Sequence, residues 1–281
     1  MAENGTDYVL TRDIVDNSRL NLQHYLWIEI FGYHINPAVG VEDLASPRIA
    51  DVGTGTAVWL TDLARRPPST AALDSLDVSF DAVPPVQSLP SNVTLHHYDI
   101  YSQTPAELRG VYDIVHVRNM TFVVKDDQAE SAIRNVMQLL KPGGYLQWAE
   151  TDVSSFRIER TTPGPDSITN NPLDVSGLTE LMTLTASMDS RMRPTWVPTM
   201  PKLFERCGLT EFQADVKDAP PYMALAKHEC NLVTQELIAR KTRNMAVAER
   251  LTQILPQVIQ ETRAGAFRAF TRWTVVGKKA A

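Results

Sequence analysis

Apolar and polar positions follow two periods along the chain, and the switches between them divide it into elements. From Thr11 to Phe31 the period is helical: Val15, Leu22, Leu26 and Ile30 make an apolar stripe, and Asn17, Asn21 and His24 a polar one, with Arg19 and Gln23 an i, i+4 pair beside it. Gly32 closes this helix, and Pro37 to Pro47 reads as linker. The period then shortens, and Arg48–Val52, Ala72–Val78, Val93–Tyr98, Tyr112–Val117 and Tyr145–Ala149 are predicted as strands. A helix through Val58, Trp59, Leu63 and Ala64, stopped at Pro67-Pro68, separates the first two. An amphipathic helix over Asp126–Leu140, ended by Lys141-Pro142-Gly143-Gly144, precedes the fifth. Beyond Glu150 the alternation relaxes. Ser154 to Asn171, with Pro163 and Pro165, reads as a loop. Leu178–Met188, Met200–Cys207 and Tyr222–Arg240 read as helices, and Ala246–Gln260 as one kinked or broken near Pro256. Leu209–Val216 and Ala266–Val276 are predicted to complete the sheet. Strands alternating with helices at this spacing predict an α/β fold with crossover helices over a parallel sheet.

Composition narrows the class. With 281 residues, 43% hydrophobic and 21% charged, the chain is neither disordered, collagenous nor a coiled-coil rod. A net charge of −6 argues against a broad nucleic-acid footprint, which needs a clustered basic face. Cys207 and Cys230 are too few for a disulfide framework or a zinc knuckle and are expected to be buried thiols in a reducing compartment. Met1 to Leu10 carries Glu3 and Asp7 and no apolar signal core, and no apolar run approaches the ~18–20 residues of a membrane span. A cytoplasmic protein with no membrane partner is expected. Neither repeats nor low-complexity tracts interrupt it.

The first strand-to-helix turn reads Asp51-Val52-Gly53-Thr54-Gly55-Thr56-Ala57. Glycines there let backbone approach a ligand, and the following helix start offers free N–H groups. The third position of a dinucleotide fingerprint is taken by Val58, so the match to NAD or FAD binding is poor. The turn instead resembles motif I of the class I S-adenosylmethionine-dependent methyltransferases, with Ala57 in place of the last glycine. Asp77 ends the second strand, Tyr98-Asp99-Ile100 follows the third, Tyr112 to Asn119 looks like the family's fourth-strand motif, and Leu139 to Leu146 is similar to its L-K-P-G-G-x-L signature. The resemblance is good over about 45–153 and looser elsewhere. It implies a Rossmann-like fold with a seven-stranded, mostly parallel sheet, and S-adenosyl-L-methionine as cofactor. It assigns Asp51, Gly53 and Gly55 to the cofactor turn, Asp77 to the ribose hydroxyls (Asp74 being its competitor), and Asp99 and Ile100 to the adenine. Arg118 and Asn119 are the candidates for the cofactor's carboxylate or amino group, and Gln23 is a further cofactor-binding candidate. Arg19 to His24 and Gln147 to Asp152 further resemble fungal specialised-metabolism methyltransferases, including relatives of the LaeA-type regulator.

Methyl transfer needs an aligned nucleophile, exclusion of water, and a base only where the nucleophile keeps a proton. His24 on the polar stripe, His116 on the fourth strand, and Glu150 with Asp152 at the end of the fifth are the candidates; a core histidine is the simpler reading of His116. No metal is expected, since the six histidines show no metal-type spacing. Met182, Met188, Met192, Trp196 and Met200 are candidates for an apolar acceptor pocket, and Arg191 and Arg193 for an acidic acceptor. Residues 1–44 are expected to form a helical lid, and 45–281 the methyltransferase domain with cap insertions at about 154–197 and 219–265. The function expected is methylation of a small molecule, oxygen being the default acceptor atom and nitrogen the alternative, with a LaeA-like cofactor-binding regulator as the rival and a homodimer left open. A nucleic-acid methyltransferase is disfavoured, because Arg118-Asn119-Met120-Thr121 stands where an Asn/Asp-Pro-Pro-aromatic motif would.

Overall fold

The computed structural model describes residues 10–66, 68–161, 174–188 and 190–281. Seven strands form one sheet in the order β3-β2-β1-β4-β5-β7-β6. β1 (Arg48–Val52), β2 (Ala72–Asp77), β3 (Val93–His97), β4 (Tyr112–Arg118) and β5 (Leu140–Arg160) run parallel. β7 (Ala266–Lys279) is antiparallel to both β5 and β6 (Leu209–Lys217). This is the Rossmann-like methyltransferase sheet that the resemblance implied. Period 2 sorts the core of β4: Val115 and Val117 pack with α3 (Ala129–Met137) and α5 (Met200–Cys207), while Ile114 faces α2 (Val58–Leu63) with Trp59 and Leu60.

The second half departs from its sequence reading. Ser154–Arg160 is strand rather than loop, because β7 is long enough to pair Arg157–Arg160 with Ala269–Ala266. The shift of register between Asp152 and Arg157 is held by side chains: Asp152 accepts from the backbone and hydroxyl of Ser154, and Ser155 Oγ accepts from Thr271 N–H at 2.8 Å. Lys141 to Gly144 likewise lies inside β5, as an irregularity opposite Tyr112–Ile114, rather than ending a helix. Pro256 sits within one continuous helix, α7 (Met245–Arg263). The face of α7 bearing Leu251, Ile254 and Val258 is buried against α4 (Ser176–Met188) and α6 (Pro221–Lys241). Pro67 and residues 162–171, with Pro163 and Pro165, lie outside the described residues. Cys207 and Cys230 are free and buried.

α1 (Ile14–Phe31) inverts the expected stripe at its N-terminal end. It is capped by Asp13, whose carboxylate accepts from Val15 and Asp16 N–H. Val15 and Leu22 of the apolar stripe are 37% and 46% exposed, whereas His24 of the polar stripe is 1% exposed. His24 Nε2 and His34 Nε2 meet the same oxygen of Asp62 in α2, at 3.1 and 2.6 Å. Arg118 Nη2 donates to His24 Nδ1 at 3.0 Å. An arginine can only donate, so Nδ1 is the acceptor and Nε2 carries the proton given to Asp62. Burial and the Arg118 charge push His24 down to about 4, against the opposing pull of Asp62.

Glu150 is fully buried. Its Oε1 accepts from Met120 N–H at 2.6 Å and Trp148 Nε1–H at 2.8 Å, tying β5 to the turn after β4. Burial pushes this carboxyl up to about 8, against those two bonds.

Two stability predictions follow from these buried groups. His24 is neutral in the folded chain and takes up a proton near 6.5 when unfolded, so stability falls as pH drops from 6.5 toward about 4. The slope is at most ~1.4 kcal/mol per pH unit for each such histidine. Urea midpoints at pH 7.5 and 5 should show the drop, and His24→Gln should reduce it. Glu150 has the opposite sign, being raised, and costs stability as pH rises from its ordinary 4.5 to about 8. Glu150→Gln is therefore expected to match or exceed the wild-type midpoint at pH 8. Glu150→Ala, which orphans two buried donors, should lose ~2 kcal/mol or more.

Candidate active site

β1 runs out at Val52 into a turn whose backbone is left-handed at Gly53 (φ +72°), Gly55 (φ +56°) and Ala57 (φ +57°). A Cβ on Gly53 would lie 2.7 Å from Met120 Sδ, so that side chain would have to shift, and the left-handed φ would strain any residue other than glycine. Ala57 adopts the same region without glycine's freedom, at a cost of ~1–2 kcal/mol. Asp51 braces the turn: one oxygen accepts from Thr54 Oγ1 at 2.8 Å and the other meets His116 Nδ1 at 2.7 Å. The His116 ring stacks on Trp59 with centroids 3.9 Å apart. Burial, partly offset by Asp51, holds His116 below its ordinary value.

Above this turn lies a cavity of about 380 Å³. Every residue assigned to the cofactor lines it except Gln23. Asp77 accepts from Gly55 N–H at 3.1 Å and Ser79 N–H at 3.2 Å, and burial raises its carboxyl despite them. Asp74, its competitor, is absent from the lining and accepts from Arg48 Nε at 2.8 Å. Asp99 accepts from Tyr101 N–H and Ser102 Oγ, which fixes it at the cavity's edge beside buried Ile100. Asn119 sits at φ +60°, turning the chain away from β4 so that it borders this cavity and a second one.

The second cavity, about 100 Å³, shares Leu20, Asn119 and Phe122 with the first. Gln23 lines this one, where its Oε1 accepts from Arg19 Nη1 at 2.8 Å. Met182 and Met192 also line it. Met188 packs in the α4–α7 core instead, and Trp196 and Met200 in the main core. Arg191 borders the first cavity and Arg193 is exposed.

The base candidates fare differently. His24 lines neither cavity and both ring nitrogens are engaged, so it positions α1 and has no free nitrogen to act as a base. Glu150 also lines neither, being spent on Met120 and Trp148. Asp152 is taken up by the irregularity in β5. His116 does border the first cavity. The sequence reading missed Asp16 and Leu20, which turn from α1 toward the first cavity, and Arg268 of β7 in the second. The polar stripe on α1 was the available signal for the former. Arg268 gave none, because it lies on a strand read as apolar.

Among the described residues, His24, His34 and Asp62 come close enough to hold a metal ion, a proximity that sequence spacing could not show. Asp62 is already paired with Arg65 and Arg66, and His24 Nδ1 with Arg118. Burial would raise the Asp62 carboxyl, but the bonds from His34, His24 and Arg65 hold it well below the usual range. The arrangement is an ion-paired clamp between α1 and α2, with cations where a metal would need none.

The larger cavity meets the requirements of S-adenosylmethionine. Its volume falls within the ~300–1,000 Å³ of small-molecule sites. Its floor is a turn of exposed backbone, Asp77 and Asp99 offer acceptors along it, and Val78, Tyr98 and Ile100 supply apolar surface for a flat ring.

A methyltransferase-domain family matches residues 49–144. Methyltransferase grgD of a Penicillium species is 36% identical over 159 residues, 53% of this chain and 54% of its own length. N-methyltransferase tcpN of Claviceps purpurea is 34% identical over 143 residues, 50% of this chain and 51% of its own. The matched stretch thus spans about half the length of these two relatives. N-methyltransferase gliN of Aspergillus fumigatus is 30% identical over 224 residues, 78% of this chain and 73% of its own. With the glycine turn, the strand-end acids and the sheet order in agreement, the chain belongs to the class I S-adenosylmethionine-dependent methyltransferases, related to fungal secondary-metabolite methyltransferases and LaeA-like proteins.

Proposed function

We propose that this chain methylates a nitrogen of a small molecule in fungal specialised metabolism. The observation that carries the reading is the pair of cavities joined at Leu20, Asn119 and Phe122, one of a size suited to the cofactor and a smaller one beside it, lined by both polar and apolar side chains, that an acceptor would enter. Oxygen was the default from sequence, but the relatives whose names state an acceptor atom, tcpN and gliN, are N-methyltransferases, and that favours nitrogen.

S-adenosylmethionine, when bound, supplies an electrophilic methyl group. The chain's part is to orient and to exclude water. In this reading Asp77 receives the ribose hydroxyls, Asp99 the adenine amino group, and Ile100 the ring face. Arg118 and Asn119 hold the methionine end. Of the expected lid, residues 1–44, residues 1–9 lie outside the described residues; the rest acts as a lid through α1, which brings Asp16 and Leu20 over the first cavity and Arg19 and Gln23 over the second. Segments 154–197 and 219–265 contribute a cap, through Met182, Met192 and Gln235. An amine acceptor, nucleophilic in its neutral form, needs no dedicated base in the transition state. This suits a site where His24 and Glu150 are both engaged elsewhere.

Calorimetric titration with S-adenosylhomocysteine tests the cofactor half. Wild type is expected to bind, and Asp77→Ala to lose ~10-fold or more in affinity, the worth of a charged hydrogen bond. Asp99→Ala should weaken cofactor binding more than acceptor binding. For the acceptor half, methyl-labelled cofactor is offered with a panel of small amines, amides, phenols and carboxylic acids. Labelled N-methyl product is expected. Labelled O-methyl product would overturn nitrogen as the acceptor atom, and tight cofactor binding without turnover would favour the regulator reading.

A further inference from the structure

The second cavity holds a charge that the described residues leave uncompensated. Arg268 is 3% exposed on β7 and lines this cavity. Its backbone N–H is spent on His228 Nδ1 at 3.2 Å. Its Nη1 meets only Met182 Sδ, at 3.6 Å. Nε and Nη2 are buried with no hydrogen-bond partner among the described residues. Burial alone brings the guanidinium down to about 10, with no carboxylate near enough to raise it, so it stays protonated at neutral pH. The rest of the lining agrees. No aspartate or glutamate borders this cavity among the described residues, and Arg19, the other cation there, is already held by Asp16 at 2.6 Å.

A buried arginine without an anion costs several kcal/mol, and native interiors rarely keep one unpaired. Nε–H and the adjacent Nη2–H form one edge of the planar guanidinium, the edge that takes both oxygens of a carboxylate side by side. Thr185, Thr234 and Gln235 stand around it as neutral polar groups, and Met182, Met192 and Phe270 supply apolar surface for the body of the ligand. We propose that the acceptor carries a carboxylate, received by the Arg268 guanidinium, while its nucleophile points toward Asn119 and the first cavity. This rests on reading the second cavity as the acceptor's. The carboxylate is then an anchor held away from the transferred methyl group, and Arg268 a specificity-determining residue.

The test uses the full chain and needs no knowledge of the acceptor. Thermal unfolding is followed for wild type, Arg268→Met and Arg268→Lys in rising sodium benzoate, benzamide or inorganic phosphate. Benzoate is expected to stabilise wild type at concentrations ~10-fold or more below benzamide. Arg268→Met should abolish that difference while unfolding no earlier than wild type without ligand, since it removes an unpaired charge. Arg268→Lys keeps the charge but loses the two-pronged edge and should retain only part of the preference, so it serves where the methionine variant fails to fold. Benzoate no better than benzamide, a preference surviving in Arg268→Met, or protection by phosphate but not benzoate would each overturn the proposal. So would a ~10-fold loss of S-adenosylhomocysteine affinity in Arg268→Met, which would assign the arginine to the cofactor. Wild type failing to bind S-adenosylhomocysteine would instead count against the methyltransferase reading, and the benzoate comparison would still decide the carboxylate.

Discussion

The Asp62 carboxylate, 3% exposed, takes hydrogen bonds from His24 and His34 on one oxygen, and the other faces Arg65 and Arg66. Through those contacts α1 is fastened to α2, and both cavities take part of their wall from α1. Gln147 of β5 adds a second attachment, accepting from Asn36 N–H at 2.7 Å and donating to the His34 carbonyl at 2.8 Å. A buried carboxylate is tolerable only where several donors meet it. Burial and the Arg118 charge hold His24 neutral, with its Nδ1 turned to Arg118 of the β4 exit. One charge therefore couples the turn after β1, the end of β4 and the N-terminal helix.

The second organising feature is the length of β5 and β7. Their antiparallel pairing continues past the parallel part of the sheet, from Tyr145 opposite Lys278 to Arg160 opposite Ala266. The extension carries Arg268 and Phe270 beyond the minimal sheet, against α4 and α6, and forms the wall of the second cavity. A short β7 beginning near Thr271 would leave no strand to present that arginine. The second cavity is thus built on an extension of the sheet, the first on the loops at the C-terminal ends of β1 to β4, where open α/β sheets bind ligands.

The residues that line the first cavity were legible one by one. Gly53, Gly55, Asp77, Asp99 and Ile100 sit in short segments whose geometry is local: a left-handed turn, the last residue of a strand, the first residues after one. The acceptor half was not. His24 and Glu150 were singled out for their chemistry and position along an element, and their partners, Asp62, Arg118 and Met120, are remote in the chain. Gln23 was placed on the right helix but at the wrong cavity, because which way a helix turn faces depends on what it packs against.

By itself the sequence determined the α/β alternation, the parallel half of the sheet, the glycine turn and the acids that border it, since hydrophobic period and turn chemistry act over a few residues. Tertiary structure alone decided that His24 of the polar stripe of α1 is buried, that Ser154–Arg160 is strand, and that Arg268 lines a cavity with no counter-ion among the described residues. Each of these depends on a partner more than about 30 residues away, Asp62 for the helix and β7 for the strand. For Arg268 it is the lack of any described acid nearby. Desolvation and charge pairing are set by the whole surroundings of a group and leave no periodic trace in the sequence.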